Sequence, residues 1–434
     1  MANEALFLRN NVFMVGGVAT ASGGRRRFRV HLIVAAVLVV VTGCTSSSGG
    51  TGDQMKSVSA AEAADTTPTP APIPDPTVLL AGTSKTASFS KRVRIAVESG
   101  SFESVRVRAK AGNQELAGAV SADGLTWMSE DRPKPASAYR LVAKVKDGSG
   151  KVSTKRLAFR AAAVPESQRV AFTVTPGDGA TVGIGQPVIV RFVTPVTRRA
   201  AVQKVMTVAA RAPGGKAVAG SWSWLNSNEA HWKPVKFWTP GTKVSVDLKL
   251  AGVKAATDRY GRKDYAQKFT IGASHITRVD AAAHEIRIYR DDKLMATWPT
   301  GTGKRGLETY SGTYVVLSKS PVEQMDSCTA KITCDKKDPD YYDGKEYWAT
   351  RITASGTFLH AADWDPLMGK ANTSHGCIHL SKVNAKKFYD HAIPGDVVIV
   401  SNTGRGPQDR IDTQDPGLYD WNVPRSTWKS RSAL

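Results

Sequence analysis

The residues with the clearest chemical potential lie in one short run, SHGCIHL, at positions 374–380. Cys377 offers a thiol, and His360, seventeen residues earlier (377 minus 360), offers a base that can take its proton. Acyl transfer by a thiol needs a thiolate, a base, and donors for the oxyanion of the tetrahedral intermediate. Gly376 lacks a Cβ and permits a tight turn whose backbone N–H groups can be those donors. The pattern predicts a cysteine nucleophile with His360 on a neighbouring strand.

Other chemistries fit part of the same run. His375, Cys377 and His379 alternate, so on a regular strand they would share a face and, together with His360, form a zinc shell for a hydrolase. A turn at Gly376 would break that geometry, and we therefore expect no metal. Sortases also place a His before a Cys, but they need a downstream Arg beside the thiol and a strand like TLxTC, which is absent here. A buried core thiol fits poorly beside Gly376 and three histidines.

The run from His360 to Cys377 resembles the signature of the L,D-transpeptidase catalytic domain of the YkuD type. Other stretches resemble mycobacterial members of that family, and together they cover most of residues 170–430. TPGDGATVGIGQPVIVRF and HWKP are similar to the domain that precedes the catalytic domain. Met325–Asp326–Ser327 is similar to the family's lid, and GLYDWNVPRSTW to a C-terminal segment that packs against the catalytic domain.

The resemblance implies a role for each matching residue. The nucleophile is Cys377, and the general base is His360, oriented by the backbone carbonyl of Ala361. An oxyanion hole is implied at the backbone N–H groups of His375, Gly376 and Cys377. Substrate contacts are implied at Tyr342 in the lid and at Ser355 and Gly356 before the His360 strand.

One position departs from the family's pattern. The family usually has Asn or Arg where this chain has His379. If His379 contacts the donor's carboxylate, its protonated form should bind that anion better, whereas burial would favour the neutral ring.

The implied reaction is peptidoglycan cross-linking in two halves. Cys377 attacks the amide after the third residue of a tetrapeptide donor stem, releasing the terminal D-alanine and forming a thioester. A side-chain amine of an acceptor stem then attacks and gives a 3→3 cross-link. The family needs no cofactor, and carbapenem β-lactams acylate its thiol covalently through a different carbonyl. The remaining alternative is a non-catalytic lipoprotein whose modules bind the cell wall.

The elements that must position these residues have mainly β character. Short segments with period-two alternation, separated by Gly and Pro turn signals, predict two tandem immunoglobulin-like sandwiches of about a hundred residues each. Trp127 is followed after twelve residues by Tyr139, and Trp232 by Val244, a faint repeat that supports two copies. We expect these Trp side chains to be core residues. The predicted boundaries are module 1 at 78–165, module 2 at 166–272, the catalytic domain at 273–402 and a C-terminal segment at 403–434.

Three local features stand out within the catalytic domain. The GTGKRG run at 301–306 lacks P-loop spacing and predicts a hairpin turn. Residues 321–348 indicate a long irregular insertion, typical of a lid or binding loop. Ser381 is a predicted cap for a helix that ends at His391, before a last strand at 397–400.

The first 44 residues are typical of an export signal. Four Arg residues between positions 25 and 29 precede the apolar run 32–41, which is too short to span a bilayer with these flanks. The run ends in VTGC, which resembles a bacterial lipobox, so we expect Cys44 to carry a lipid that anchors the protein at the outer face of the cytoplasmic membrane. Residues 45–77, rich in Ser, Thr and Pro, predict an extended linker.

Charge and cysteine usage agree with export. The chain has 59 Lys and Arg against 38 Asp and Glu, a net charge of +21. Outside the cytoplasm, an anionic envelope explains that excess better than nucleic acid does. Cys328 and Cys334, six residues apart in a polar loop, are predicted to form a disulfide, which leaves Cys377 as a free thiol.

Overall fold

The computed structural model describes residues 72–81, 85–407 and 416–434. The predicted signal segment, Cys44 and nearly all of the linker lie outside these residues. Within the described part of the chain, no helix is both long and apolar enough to cross a membrane.

Module 1 is a sandwich of two four-stranded sheets, ordered β1-β3-β6-β5 and β2-β8-β7-β4. Alternation in the sequence produces these strands: in β7 every second side chain is buried, and Leu141 is among the residues that face the core. Trp127 is 1% exposed at the centre of that core, as predicted. The strands are β1 Thr77–Leu80, β2 Thr86–Ala87, β3 Arg94–Glu98, β4 Ser101–Ala109, β5 Gly118–Val120, β6 Thr126–Ser129, β7 Ala138–Lys146 and β8 Val152–Ala161.

Module 2 has eleven strands and one short helix. They are β9 Arg169–Val170, β10 Phe172–Thr175, β11 Thr181–Val182, β12 Val188–Phe192, α1 Arg199–Gln203, β13 Met206–Arg211, β14 Gly220–Trp224, β15 Glu229–Pro234, β16 Lys243–Leu248, β17 Lys254–Ala256, β18 Arg259–Gly261 and β19 Tyr265–Ile271. Its sheets are ordered β10-β12-β15-β14, β11-β19-β16-β13 and β17-β18-β9.

The internal repeat is visible in both topology and packing. Trp127 and Trp232 lie on equivalent strands, each third in a four-stranded sheet whose fourth strand carries a glycine. Each glycine faces a Trp ring: a Cβ built on Gly118 or Gly220 would lie 2.3 or 2.4 Å from the ring of Trp127 or Trp232, respectively. The same Trp–Gly pair therefore packs in both modules, and the predicted fold class, two immunoglobulin-like sandwiches before a β-rich domain, is confirmed.

The catalytic domain contains two sheets, ordered β22-β21-β20-β28-β23 and β24-β25-β26-β27. A helix, α2 Lys382–His391, packs against the second sheet and has the predicted cap, because the Ser381 side chain accepts a hydrogen bond from Asn384 N. The strands are β20 His275–Asp280, β21 Glu285–Arg290, β22 Lys293–Pro299, β23 Gly312–Val315, β24 Ser318–Asp326, β25 Asp343–Arg351, β26 Phe358–Ala361, β27 Ile378–Leu380 and β28 Val397–Ser401.

The predicted irregular insertion at 321–348 is confirmed for its middle, the loop 327–342, and wrong at both ends. The two ends belong to a long antiparallel hairpin, in which β24 and β25 pair from Ser318 opposite Arg351 to Asp326 opposite Asp343. Much of β24 is exposed on both faces, so it lacks the apolar alternation by which a strand is recognised. Backbone pairing, which the sequence pattern does not display, builds this strand.

The C-terminal segment packs more widely than the resemblance implied. It forms α3 Pro416–Asn422 and α4 Arg425–Ser430. Asn422 exchanges hydrogen bonds with the backbone of Thr313 in the catalytic domain. Tyr419 and Trp428 instead join a buried cluster with Leu225 of module 2. The segment therefore contacts both neighbours.

Candidate active site

The parallel pairing of β26 with β27 brings the predicted nucleophile and base together. His360 lies directly opposite His379 in this pairing, and Cys377 immediately precedes β27. Both strands are buried along their whole length, which accounts for their apolar residues. Strand register thus places His360 beside Cys377.

His360 is held as a base with a defined orientation. Its Nδ1 lies 2.9 Å from the carbonyl oxygen of Ala361, as the resemblance implied, and 3.3 Å from Oε2 of Glu346. An N–H at Nδ1 that donates to these oxygens leaves Nε2 available for the hydrogen bond with Cys377. Burial opposes a charge on the ring, but the hydrogen bonds to Cys377 and Glu346 and the charges of both groups outweigh it, raising the pKa of His360 to about 10. The site therefore stabilises the imidazolium that forms when the ring takes the proton of the thiol.

Cys377 follows a turn that Gly376 makes possible. Gly376 has φ 122°, a conformation that side-chain-bearing residues rarely adopt. Ser374 closes the turn: its hydroxyl accepts from Gly376 N at 3.0 Å and donates to the carbonyl of Cys377 at 2.6 Å. The Gly376 N–H, one of three predicted oxyanion donors, is therefore already engaged by Ser374. Donation by His375 and Cys377 stays a prediction.

The 301–306 run is not the hairpin turn that was predicted. The strands on either side of it, β22 and β23, lie at opposite edges of one sheet and cannot form a hairpin. The run instead lies along the cysteine turn, with backbone bridges from Gly301 to His379 and from Gly303 to Ser374. Thr309 adds a hydrogen bond to the carbonyl of Gly376 at 2.9 Å. Turn residues alone do not reveal this long-range partner.

The loop 327–342 at the end of the β24–β25 hairpin covers the site. Cys328 and Cys334 are joined by a disulfide within it. Tyr342 ends the loop, with its ring 5.0 Å from that of His375. Burial and then the nearby charge of Cys377 raise the pKa of Tyr342 to about 12, so its hydroxyl stays protonated. Lys304 and Asp340 form an ion pair beside His375, and burial lowers the pKa of that ring.

A cavity of about 310 Å³ opens over the sulfur. It contains the predicted residues Cys377, His360, His375, His379 and Tyr342, together with Met325, Asp343, Gly344, Glu346, Trp364 and Ser374. The alternation of β25, which presents Gly344 and Glu346 on one side, was the signal that could have found two of the missed residues.

Ser355 and Gly356, the other two predicted substrate contacts, are not among the residues that line this cavity. The Gly356 carbonyl oxygen is 3.8 Å from the sulfur of Cys377, so it is an alternative acceptor for the thiol proton when His360 does not take it. The Ser355 hydroxyl lies 3.2 Å from that of Thr353. Of the two predicted contacts, Gly356 is the one that touches the reacting atom.

His379 is not the protonated ring that the sequence analysis considered as a contact for the donor's carboxylate. Its ring is 2% exposed, and Nδ1 lies 2.8 Å from Oδ2 of Asp365. Burial, followed by repulsion from His360, lowers the pKa of His379 to about 4, despite Asp365. A neutral His379 that donates to Asp365 cannot attract the donor's carboxylate as a cation at neutral pH, so the acid-side gain in affinity is not expected.

No group of three or more His, Cys, Asp or Glu side chains within residues 72–81, 85–407 and 416–434 is arranged to hold a metal ion. The turn at Gly376 breaks the alternation that would align His375, Cys377 and His379, and His379 is bound to Asp365. A half-buried free thiol hydrogen-bonded to a buried imidazole is the arrangement that acyl transfer by a cysteine requires.

Comparison with known proteins identifies the family. A model of the L,D-transpeptidase catalytic domain matches residues 274–400, and a model of a bacterial Ig domain matches residues 84–254. L,D-transpeptidase 2 of Mycobacterium tuberculosis is 35% identical over 319 residues, 73% of this chain and 75% of that protein. L,D-transpeptidase 5 of the same species is 30% identical over 350 residues, 79% and 73% of the two chains.

A solved structure, an LD transpeptidase in complex with imipenem, is 34% identical and covers 54% of this chain and 99% of its own, with a TM-score of 0.46. The chain belongs to the L,D-transpeptidase family, whose members are acyltransferases with a cysteine nucleophile.

Proposed function

We propose that this chain is an exported, lipid-anchored L,D-transpeptidase that forms 3→3 cross-links between peptidoglycan stems. The observation that carries the proposal is the pairing of Cys377 with His360, whose Nδ1 is occupied by a backbone carbonyl at 2.9 Å. This arrangement holds Nε2 towards the sulfur, beside a cavity of about 310 Å³ that a ligand can enter.

In the first half of the reaction, the proton of the Cys377 thiol passes to Nε2 of His360. The thiolate sulfur attacks the carbonyl carbon of the amide after the third residue of the donor stem. The C–N bond breaks, the imidazolium returns its proton to the departing amine, and D-alanine leaves. The thioester that remains stores the acyl group.

In the second half, the side-chain amine of an acceptor stem attacks the thioester. His360 takes the amine's proton, the C–S bond breaks, and the sulfur leaves as a thiolate. The side chains and backbone of the site hold each stem beside the sulfur. This positioning lowers the entropic cost of each attack and so raises its rate.

Anchoring at the outer face of the cytoplasmic membrane is supported by the Arg-rich and apolar segments before Cys44 and by the net charge of +21. The Ser, Thr and Pro-rich residues 45–77 would extend the catalytic domain away from the membrane and towards the wall. Replacing Cys44 by Ser should move the protein from the membrane fraction to the soluble fraction. Equal partition of the two forms would refute the lipid anchor.

Covalent capture by a carbapenem tests the nucleophile, because Cys377 can open a β-lactam by the same attack. Intact mass spectrometry of the protein after incubation should show one added carbapenem mass. Cys377→Ala should show none, while retaining the native circular dichroism spectrum. His360→Ala should acquire the adduct much more slowly. An undiminished adduct in Cys377→Ala would refute the assignment.

A further inference from the structure

Glu346 lies against the catalytic base, on the side opposite the reacting sulfur. Its Oε2 is 3.3 Å from Nδ1 of His360, the same nitrogen that lies 2.9 Å from the carbonyl of Ala361. One N–H thus faces two acceptors of different kinds. The carbonyl is sufficient to fix the tautomer, but it carries only a partial charge. Glu346 adds a full negative charge, which matters once the buried ring becomes an imidazolium.

The position of Glu346 in the hairpin indicates that its contact with His360 has a functional role. Glu346 pairs directly across from Glu323, and like charges directly opposite one another destabilise a sheet. Glu323 is neutralised by Arg351 at 3.1 Å. Within the described part of the chain, the ion-pair partner of Glu346 is His360. A carboxylate at this unfavourable place is therefore balanced by the catalytic base.

The other charged groups near His360 do not take over this role. Asp365 already accepts from Thr373 at 2.6 Å, from His379 at 2.8 Å and from Leu367 N at 3.0 Å. His379, whose ring is 5.1 Å from that of His360, has a pKa lowered to about 4 by burial and by His360. It stays neutral and adds no competing cation. The titratable groups that surround the base are Cys377 just before β27, His379 in β27, Asp365 after β26, Glu346 on β25 and Tyr342 from the loop.

We propose that Glu346 is a positioning residue for His360, which holds the ring towards Cys377 and stabilises the imidazolium formed during acyl transfer. When the thiol proton moves from sulfur to Nε2, the new positive charge lies between the thiolate and the Glu346 carboxylate. When Nε2 returns that proton to the departing amine, the ring becomes neutral again and Glu346 keeps its charge. The inference rests on the proposed function, since it assigns a role within the same reaction.

Glu346→Gln tests the charge without removing an acceptor, because the amide oxygen remains. The alkaline limb of the pH profile of kcat/KM for carbapenem acylation should shift to lower pH by about one unit, since an opposite charge within about 4–6 Å shifts a pKa by roughly 1–3 units. An NMR titration of the His360 ring should show the same shift, from a native midpoint near 10.

Two matched variants keep the test decisive. Glu323→Gln removes the carboxylate directly opposite on the same hairpin and should leave the alkaline limb in place. Glu346→Asp keeps the charge and should restore much of the native profile. An unchanged limb in Glu346→Gln, or equal shifts in Glu346→Gln and Glu323→Gln, would overturn the inference. So would equal shifts in Glu346→Asp and Glu346→Gln, which would indicate a merely structural role. Each of these results leaves the Cys377→Ala test of the proposed function unaffected.

Discussion

Module 1 meets module 2 through a small contact, whereas module 2 shares part of its core with the catalytic domain. At the first joint, the Phe89 and Tyr260 rings meet edge to face at 5.2 Å next to the buried Val164. An ion pair between Lys134 and Asp264, at 3.2 Å, lies at the surface. The ion pair is partly exposed to solvent, so it adds little to the stability of either module.

The second joint is built from a shared apolar core and from backbone hydrogen bonds. Val397 of the catalytic domain belongs to the hydrophobic core of module 2. The N–H of Gly183 donates to the carbonyl of Pro394 at 2.8 Å, and the N–H of Gly185 to that of Gly395 at 2.8 Å. The two immunoglobulin-like sandwiches thus contact the domain that follows each of them in different ways. We expect module 2 and the catalytic domain to unfold as one cooperative unit, and module 1 separately.

The largest loss of stability in module 2 and the catalytic domain is expected for Asp420→Ala. Asp420, in α3, lies 2.6 Å from Nδ1 of His231 in β15, whose Nε2 lies 2.7 Å from Glu229. Removing one partner of a buried ion pair costs about 3–5 kcal/mol, and a loss near the lower end is expected here because Glu229 still pairs with His231. Differential scanning calorimetry should show the transition that contains module 2 and the catalytic domain at lower temperature. The module 1 transition should not move.

Lys134→Ala is the matched control at the first joint. Its ion pair is half-exposed, and such pairs contribute about 0–1 kcal/mol. Equal losses of stability in Lys134→Ala and Asp420→Ala would mean that the two joints do not differ in the way described.

Gly183→Ala should destabilise the second joint, because the added methyl group collides with the backbone of the catalytic domain. A Cβ at Gly183 would lie 2.1 Å from the backbone nitrogen of Asp396, so one of the two chains must move. Overpacking of this kind costs about 1–3 kcal/mol. Urea unfolding followed by tryptophan fluorescence should show the loss. Gly177→Ala is the control, because nothing lies within 4 Å of its added methyl group; a loss of the same size there would contradict the explanation.

The pH dependence of stability sharpens the comparison further. Burial opposes the charge on His231, but Asp420 and Glu229 outweigh it and raise the pKa of His231 from 6.5 to about 9. Because the folded-state pKa is the higher one, the proton stabilises the folded state. That stabilisation, on the order of 3 kcal/mol, is complete below about pH 6.5 and is lost as the pH rises through about 9.

Thermal unfolding of the module 2 transition between pH 6 and 9.5 measures this effect. The Tm of the native chain should fall towards high pH, and the profile of His231→Gln should be flatter over that range. Parallel profiles would show that His231 is not the group responsible.

Local patterns in the sequence were sufficient for many of the elements. Alternation located β7 and β16, and the cap at Ser381 located the start of α2. These signals depend on neighbours within a few residues, and the chain carries them wherever it folds. The SHGC run and His360 likewise indicated the cysteine chemistry, because the types and spacing of reactive residues are local facts.

The tertiary structure alone decided which distant groups meet. The 301–306 run connects strands at opposite edges of one sheet, and on the way it pairs with the residues around Cys377. Strand β24 forms because β25 pairs with it. The protonation states depend on burial and on partners that are distant in sequence. His379 is buried against Asp365 and His360, and Glu346 contacts His360 from another strand. A charge responds to everything within several ångströms in space, whatever its distance along the chain, so the sequence could name His360 but not the groups that set its pKa.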